Sequence, residues 1–582
     1  MKFNLSEVFQ PKLFGLFKKG QYSKQALFSD LMAGLIVGII ALPLAIAFAT
    51  ASGVPPQNGL ITAIIAGFLI SFFGGSDFLI GGPTGAFIVI ITGIIAGYGF
   101  QGLLIATIMA GVFLVLMGVF KMGAIFKYIP YPIVVGFTSG IALTIFSTQM
   151  NNFFGLGLGD MPEEFYSGVP SEFIRKWIFY FSEGSIDWLE TALAVTCLVI
   201  CFTWKKVTKK VPGSLIALIF AVVVSLLAGH FGWHEFATIG NPNPKAAVDG
   251  VAATVGQVEY WPLNFSEFEF SKLPDLLSPA FTIAILCAVE SLLAAMVADG
   301  ATGKRHHANT ELIGQGIANI VTPLFGGIPA TGALARTMAS INNGGKSPVT
   351  GLVHAVVLLL IFLFLMPYVS YVPMACLAAI LVQVAYNMSE WKTFKYLLRG
   401  DKSDVSVLLI TFFLTVIFDL TIAIEVGVVL AIVLFVRRVM QTTHVNVLQG
   451  DTIAATEDPE KAAMEDTDRL AIPDGVEVYE IDGPFFFGLA SRFEELESAN
   501  GKTVKVRIIR MRRVPFIDST GVNNLRNLYE RTHKRGVTVI LSGVTDKVYD
   551  TLKKFSVDEE IGKENIFPHI VPALERAAEL VK

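Results

Sequence analysis

Two charged residues and two helix-breaking stretches stand out because of the sequence around them. Glu290 lies in "LCAVESLLAAMVADG" and Arg336 in "PATGALARTMAS", both flanked by apolar residues, while "GGPTGA" at 81–86 and "GGIPATGA" at 326–333 interrupt long apolar runs. A guanidinium at the depth of a bilayer costs about 2.5–3.5 kcal/mol and needs a reason to be there. Arg336 is therefore expected to contribute positive field to a bound anion; pairing with a carboxylate or snorkelling toward water is the structural alternative. Carboxylates removed from water favour their neutral form. Glu290, the only carboxylate deep in its own span, is expected to be a proton-coupling residue or a counter-charge to Arg336, with a structural ion pair as the plainer alternative.

Such chemistry needs a lipid setting, and the composition supplies one. The 582 residues are 53% hydrophobic and only 16% charged, with a mean hydropathy of +0.61, whereas soluble domains carry about 25% charge. Apolar runs of about 20 residues, the length that crosses a bilayer, recur between Leu31 and Arg438 and then stop. Counting them gives fourteen spans, two of them short. Placing the lysine-bearing arm 1–26 in the cytoplasm puts Lys205, Lys206, Lys304, Arg305, Lys392, Lys395, Arg437 and Arg438 inside as well. The long loops at about 151–186 and 230–277, rich in Asp and Glu, then fall outside. The expected protein is a multi-pass protein of the cytoplasmic (inner) membrane with both termini cytoplasmic. The arm shows no cleavable signal pattern. The four cysteines, Cys197, Cys201, Cys287 and Cys376, have no metal-ligand spacing and read as apolar fillers.

The two breaks are copies of each other. "FGG" precedes each, at Phe73–Gly75 and Phe325–Gly327, and Thr84 maps onto Thr331 with a spacing of 331 − 84 = 247. "YIP" at 128–130 and "YVP" at 371–373 repeat at 371 − 128 = 243. Seven spans per half is an odd number, so the second half enters the membrane from the opposite side as an inverted repeat. Backbone that is not helical inside hydrocarbon must be buried in protein or line a watery cavity. Each half is therefore expected to send an extended segment to the midplane, followed by a half-helix starting near Thr84 or Thr331. The two N-termini then point at one another and offer free N–H groups and partial positive charge to an anion. Thr84, Gly85, Ala86, Phe87, Gly332, Ala333, Leu334 and Arg336 are the candidate binding residues, with Phe48 and Pro43 of the first span as apolar wall. Close packing through small residues is the alternative for either break alone.

"ALPLAIAFATASG", "GGPTGA", "VADGATGKRHHANTELIGQGIAN", "GGIPATGALART" and "FDLTIAIEVGVVLA" together resemble the SulP anion transporters, bacterial relatives of solute-carrier family 26. The resemblance runs over essentially the whole chain. It implies the seven-plus-seven fold of the nucleobase transporters with a core and a gate domain, homodimers, and substrates such as sulfate, bicarbonate, chloride or dicarboxylates. Some bicarbonate-carrying members of that family couple to sodium through an aspartate at the position of Glu290 and threonines at those of Ala294 and Leu334. Two apolar residues here argue against a dedicated sodium site and leave proton coupling or uncoupled flux. Leu44 replaces a polar residue found in many vertebrate relatives, so backbone N–H groups are expected to carry more of the substrate's binding.

Beyond an acidic linker at 441–475, strand-like stretches alternate with helical ones, suggesting a small α/β domain at 476–582 with a mixed sheet. "FIDSTGVNNL" at 516–525 resembles the STAS signature. In antagonist members of that family the serine matching Ser519 is phosphorylated; Asp518 or Ser519 is equally well placed as a helix N-cap. The domain is a candidate docking point for a protein partner. "NNGGKSP" at 342–348 has Ser340 where a nucleotide loop needs glycine, and neither zinc spacing nor a serine elbow is present. No enzyme, cofactor or nucleic-acid function is expected. Besides a proton-coupled anion transporter, an anion channel of the same fold and a membrane sensor signalling through the STAS domain remain open.

Overall fold

A computed structural model describes residues 8–18, 22–124, 130–156, 173–208, 211–241, 263–264, 269–417, 420–442, 444–448, 452–454, 469–486 and 504–582. Tyr128 and Ile129 of the "YIP" copy, much of both long outer loops and about half of the acidic linker thus lie outside the described residues. The chain divides into two compact units, Met1–Ala431 and Ile432–Lys582.

The first unit is helical. A short helix α1 (Lys12–Lys18) is followed by α2 (Lys24–Ala51) and α3 (Pro56–Phe73), a two-residue strand β1 (Gly81–Gly82), one tight turn at Gly85–Phe87, and α4 (Ile88–Val119). Gly99, at φ 70° and ψ 179°, breaks α4 into two rods, 88–98 and 100–119. Then come α5 (Tyr131–Phe154), α6 (Phe173–Glu183), α7 (Trp188–Thr203) and α8 (Gly213–His230). The second half repeats the plan with α9 (Leu277–Thr302), α10 (Ala308–Val321), β2 (Thr331–Gly332), α11 (Leu334–Asn342), α12 (Val349–Val369), α13 (Met374–Met388), the short α14 (Trp391–Leu397), α15 (Lys402–Ile417) and α16 (Leu420–Thr442). Counting each α4 rod and setting aside α1, α6 and α14, each half supplies seven crossing elements. Among the described residues, 7 helices are individually long and apolar enough to span a membrane. Several of the others, such as α7, α10, α11 and α13, are shorter.

Two groups of helices result. α2, α3 and α4 pack with α9, α10 and α12, while α5, α7 and α8 pack with α13 and α15; α2 touches α13 and α8 across the divide. Small residues let the first group close up. A side chain at Gly111 of α4 would collide with the backbone of Gly316 on α10, and one at Gly316 with Gly111, the close approach by which membrane helices associate without a hydrophobic drive.

The second unit carries a five-stranded mixed sheet in the order β3 (His444–Leu448), β6 (Val476–Asp482), β7 (Val506–Arg513), β8 (Thr538–Ser542), β9 (Ile566–Phe567). A separate hairpin joins β4 (Thr452–Ala454) to β5 (Arg469–Ala471). Strand β3 is antiparallel and the other pairings are parallel. Helices α17 (Ser519–Lys534), α18 (Asp546–Lys554) and α19 (Val557–Ile561) cover one face, where Tyr479, Ile509, Leu525 and Val548 are buried. Helix α20 (Ile570–Val581) covers the other, over Val478, Ile508 and Ile540. The stretch expected to be linker therefore contributes the edge strand β3, whose Val445 and Val447 pack on the core.

Candidate functional site

The two breaks meet. Strands β1 and β2 pair antiparallel, Gly81 opposite Gly332 and Gly82 opposite Thr331. Ala333 N–H continues the ladder to Ile80 O at 2.9 Å. Each break is gripped by the opposite half of the chain. Asn58 of α3 donates to Gly326 O (2.6 Å), and Thr62 Oγ1 accepts from Ile328 N–H (2.7 Å). From α10, Glu311 accepts Gly75 N–H (2.8 Å). Asn319 holds its own half's break, accepting from Ala330 N–H (2.9 Å) and donating to Ala330 O (2.8 Å). These side chains replace the helical hydrogen bonds that the glycines and prolines forfeit, as burial away from water demands.

Beyond each strand a helix starts without a side-chain cap. Thr84 is extended (φ −128°, ψ 158°) before Gly85, and Ala333 (φ −92°, ψ 114°) before Leu334. The first N–H groups of both helices lack intrahelical partners by geometry. Thr84 does not cap because its hydroxyl donates to Glu290 Oε2 at 3.0 Å. Thr331 is sealed away, its hydroxyl donating to Cys287 O at 2.9 Å.

Arg336 is about 1% exposed and crosses from the second half to the first. Its Nη1 donates to Gly81 O at 3.2 Å and its Nη2 to Pro83 O. Gly82, at φ +148°, leaves room for it; a Cβ there would overlap Nη1. The guanidinium therefore meets carbonyl dipoles rather than Glu290, and among the described residues no carboxylate forms an ion pair with it. That removes the direct Arg336–Glu290 ion pair from the sequence expectations.

A cavity of about 420 Å³ opens where these groups converge, within the usual range of small-ligand sites. Phe48, Thr84, Gly85, Glu290, Gly332, Ala333, Leu334 and Arg336 line it, with Leu44 and Ala294. It continues to Tyr131, Asn387 and Glu390 at the ends of α5 and α13. Ala86, Phe87 and Pro43 are not in its lining: Ala86 and Phe87 are fully buried in the hydrophobic core behind it, because the tight turn after Thr84 swings them inward. Ser519, in the other unit, is exposed at the first position of α17, and Asp518 is the cap, accepting from Gly521 N–H at 2.6 Å.

The sequence reading missed the supports. Glu311, Gln315 and Asn319 form a polar stripe at four-residue spacing along one face of a membrane helix, a signal that was available. Asp30 was also passed over. Buried in α2, it accepts from Tyr22 OH (2.6 Å), Lys346 N–H (2.6 Å), Ser347 Oγ (2.5 Å) and Thr350 Oγ1 (2.9 Å), tying the first span to the start of α12.

Known proteins share this architecture. Residues 27–411 match the sulfate permease family and residues 469–573 the STAS domain. A putative sulfate transporter of Bacillus subtilis, YvdB, is 42% identical over 556 residues, covering 94% of this chain and 97% of the relative. The bicarbonate transporter BicA of Picosynechococcus is 29% identical over 563 residues, covering 94% of each chain. Among solved structures, SLC26A9 superposes with a TM-score of 0.83 at 19% identity, over 99% of this chain and 93% of that one. The transmembrane domain of a cyanobacterial BicA superposes at 0.57 with 28% identity, over 70% of this chain and 98% of that one.

Proposed function

The chain belongs to the sulfate permease family, whose members are transporters and not enzymes, and from that premise we propose that it is a proton-driven carrier of a small anion of the sulfate, bicarbonate or dicarboxylate class. The observation that carries this reading is the convergence of two uncapped helix starts, one from each half, on a cavity that also holds Arg336 and Glu290. Free N–H groups and helix dipoles bind the anion from two sides. The Arg336 charge adds to their field while its hydrogen bonds hold β1 in place.

Glu290 supplies the coupling. It lines the same cavity, so an ionised carboxylate and a bound anion repel each other at short range. Anion and proton then enter together, and reciprocity requires each to favour the other's binding. Thr84 links the two events, since its hydroxyl joins Glu290 to the residue that precedes the first helix start. Leu44, Ala294 and Leu334 offer no hydroxyl, which favours a substrate held by backbone and speaks against bound sodium.

The loop charges set the orientation, with both termini in the cytoplasm of a cell whose inner membrane holds the protein. On that assignment the cavity opens inward, past Tyr131 and Glu390. On the outer side Ile239 N–H meets Val372 O (3.0 Å) and Met374 N–H meets Ala237 O (2.8 Å), tying the segment after α8 to the turn before α13. Alternating access then consists of the α5, α7, α8, α13 and α15 group moving against the group that carries the site, in a homodimer as the family resemblance implies. Uptake of radiolabelled sulfate, bicarbonate and dicarboxylates into proteoliposomes at two pH values, with and without sodium, tests the proposal. Saturable uptake with counterflow, stimulated by an inward proton gradient and indifferent to sodium, is the expected result. Non-saturating conductance, or no flux of any anion, would refute it.

A further inference from the structure

A second cavity, of about 690 Å³, lies on the far side of the helices that wall the anion site. On α13, Val384, Asn387 and Met388 face the anion cavity, whereas Val382, Ala385 and Tyr386 face this one. Its floor is small, with Ala142 and Ala385, and its walls are aromatic, with Phe146 and Phe412. The hydroxyls of Ser139 and Ser389 are already engaged by Ser389 O (2.7 Å) and Tyr386 O (2.8 Å). Nothing in the interior asks for a polar ligand. The mouth is ringed by Phe202, Phe413, Tyr386 and Trp391, which are 41%, 52%, 61% and 64% exposed. Phe202, Tyr386 and Phe413 lie on membrane-spanning elements, where exposed aromatic side chains face lipid, and Trp391 sits at their cytoplasmic end, so the cavity opens sideways into the bilayer.

Charge decides which lipid. The cavity ends under α14, where Trp391 and Phe394 line it while Lys392, Lys395 and Arg399 stand exposed beside them. Among the described residues none of these three cations is joined to a carboxylate. They lie on the side that the loop charges assign to the cytoplasm, whose leaflet is the one that attracts clustered Lys and Arg when its lipids are anionic.

We propose that this cavity is a binding site for an anionic phospholipid of the inner leaflet, one acyl chain lying on Ala142 and Ala385 and the headgroup on Lys392, Lys395 and Arg399. The site is independent of which anion is carried and of how transport is driven. Because α5 and α13 separate the two cavities, lipid in one packs against the backs of helices that line the other.

Trp391 reports on occupancy. The purified full chain is reconstituted in nanodiscs containing brominated phosphatidylglycerol or, at the same mole fraction, brominated phosphatidylcholine. The quenching that disappears in Trp391→Phe isolates this residue from the other tryptophans. Severalfold stronger quenching by the anionic lipid is expected. Lys392→Gln combined with Lys395→Gln should reduce it to the phosphatidylcholine level, and Ala142→Leu, which fills the floor, should weaken quenching by the anionic lipid with the lysines intact. Each variant is accepted only if its thermal unfolding matches the parent. Equal quenching by the two lipids, insensitivity to the lysine changes, or Trp391 shielded from both lipids, as when a second copy of the chain covers the face, would overturn the proposal.

Discussion

On the proposed function Glu290 and Arg336 have separate duties, and each has a measurable consequence. Glu290→Gln is permanently neutral, so it should lack the repulsion that, on the proposed function, ties anion entry to proton entry. Parent uptake should rise as external pH falls, because more of Glu290 is protonated, whereas Glu290→Gln should show nearly the same rate at acid and alkaline pH. Initial rates in proteoliposomes across that range check this, and full parental pH dependence in the variant would exclude the coupling role. Arg336 has a geometric duty that lysine cannot perform, since only a fork reaches Gly81 O and Pro83 O at once. Arg336→Lys and Gly82→Ala should each lower uptake by at least about tenfold, equivalent to about 1.4 kcal/mol, the second because its Cβ would occupy the space of Nη1 at a φ that only glycine tolerates. That these two charges lie at a cavity was readable in the sequence. A charge in apolar sequence is costly enough that its presence alone points to a site, whereas Ala86 and Phe87 look the same in sequence whether they face the cavity or the core, and only the turn after Thr84 decides.

At the scale of elements, the breaks were legible because they are written in glycine and proline and written twice. What holds them was not, since Asn58, Glu311 and Asn319 bond to backbone groups that only the fold brings near. Asn319 is the most exacting test of that idea. Its side chain satisfies both backbone groups of Ala330, one residue before β2. Asn319→Ala leaves the Ala330 N–H buried without a partner, at about 1–3 kcal/mol, and leaves Ala330 O only the weak Cys287 Sγ donor. A lower melting temperature in detergent and loss of uptake should occur together, while Asn319→Ala with unchanged stability would mean that β2 is held by its pairing with β1 alone. The strand β3 makes the same point in the other unit. A five-residue stretch of modest hydrophobicity inside an acidic segment reads as linker until β6 offers it an edge.

The whole molecule joins two units with separate cores. Every residue of the sheet unit's two buried clusters lies beyond Leu448, and the partly buried Val445, Val447 and Leu448 of β3 complete them. A piece spanning 443–582 should therefore fold alone and unfold in one cooperative transition by circular dichroism. Failure to fold would show that its stability is borrowed from the membrane unit. Within that membrane unit the inverted repeat explains why the chain needs two imperfect copies of one motif. One half supplies Arg336 and α11, the other supplies Thr84, Gly82 and the α4 start, and neither half alone lines the whole cavity. The central claim, that the anion sits between those two helix starts, is tested most directly by substrate protection of a cysteine placed at Leu334, which lines the cavity and is 43% exposed, in a chain whose native cysteines are all buried. In a transport-competent Leu334→Cys protein, the transported anion should slow alkylation with the same concentration dependence as its uptake, and a non-transported anion should have no effect. Saturable uptake with an alkylation rate that does not change would place the anion elsewhere.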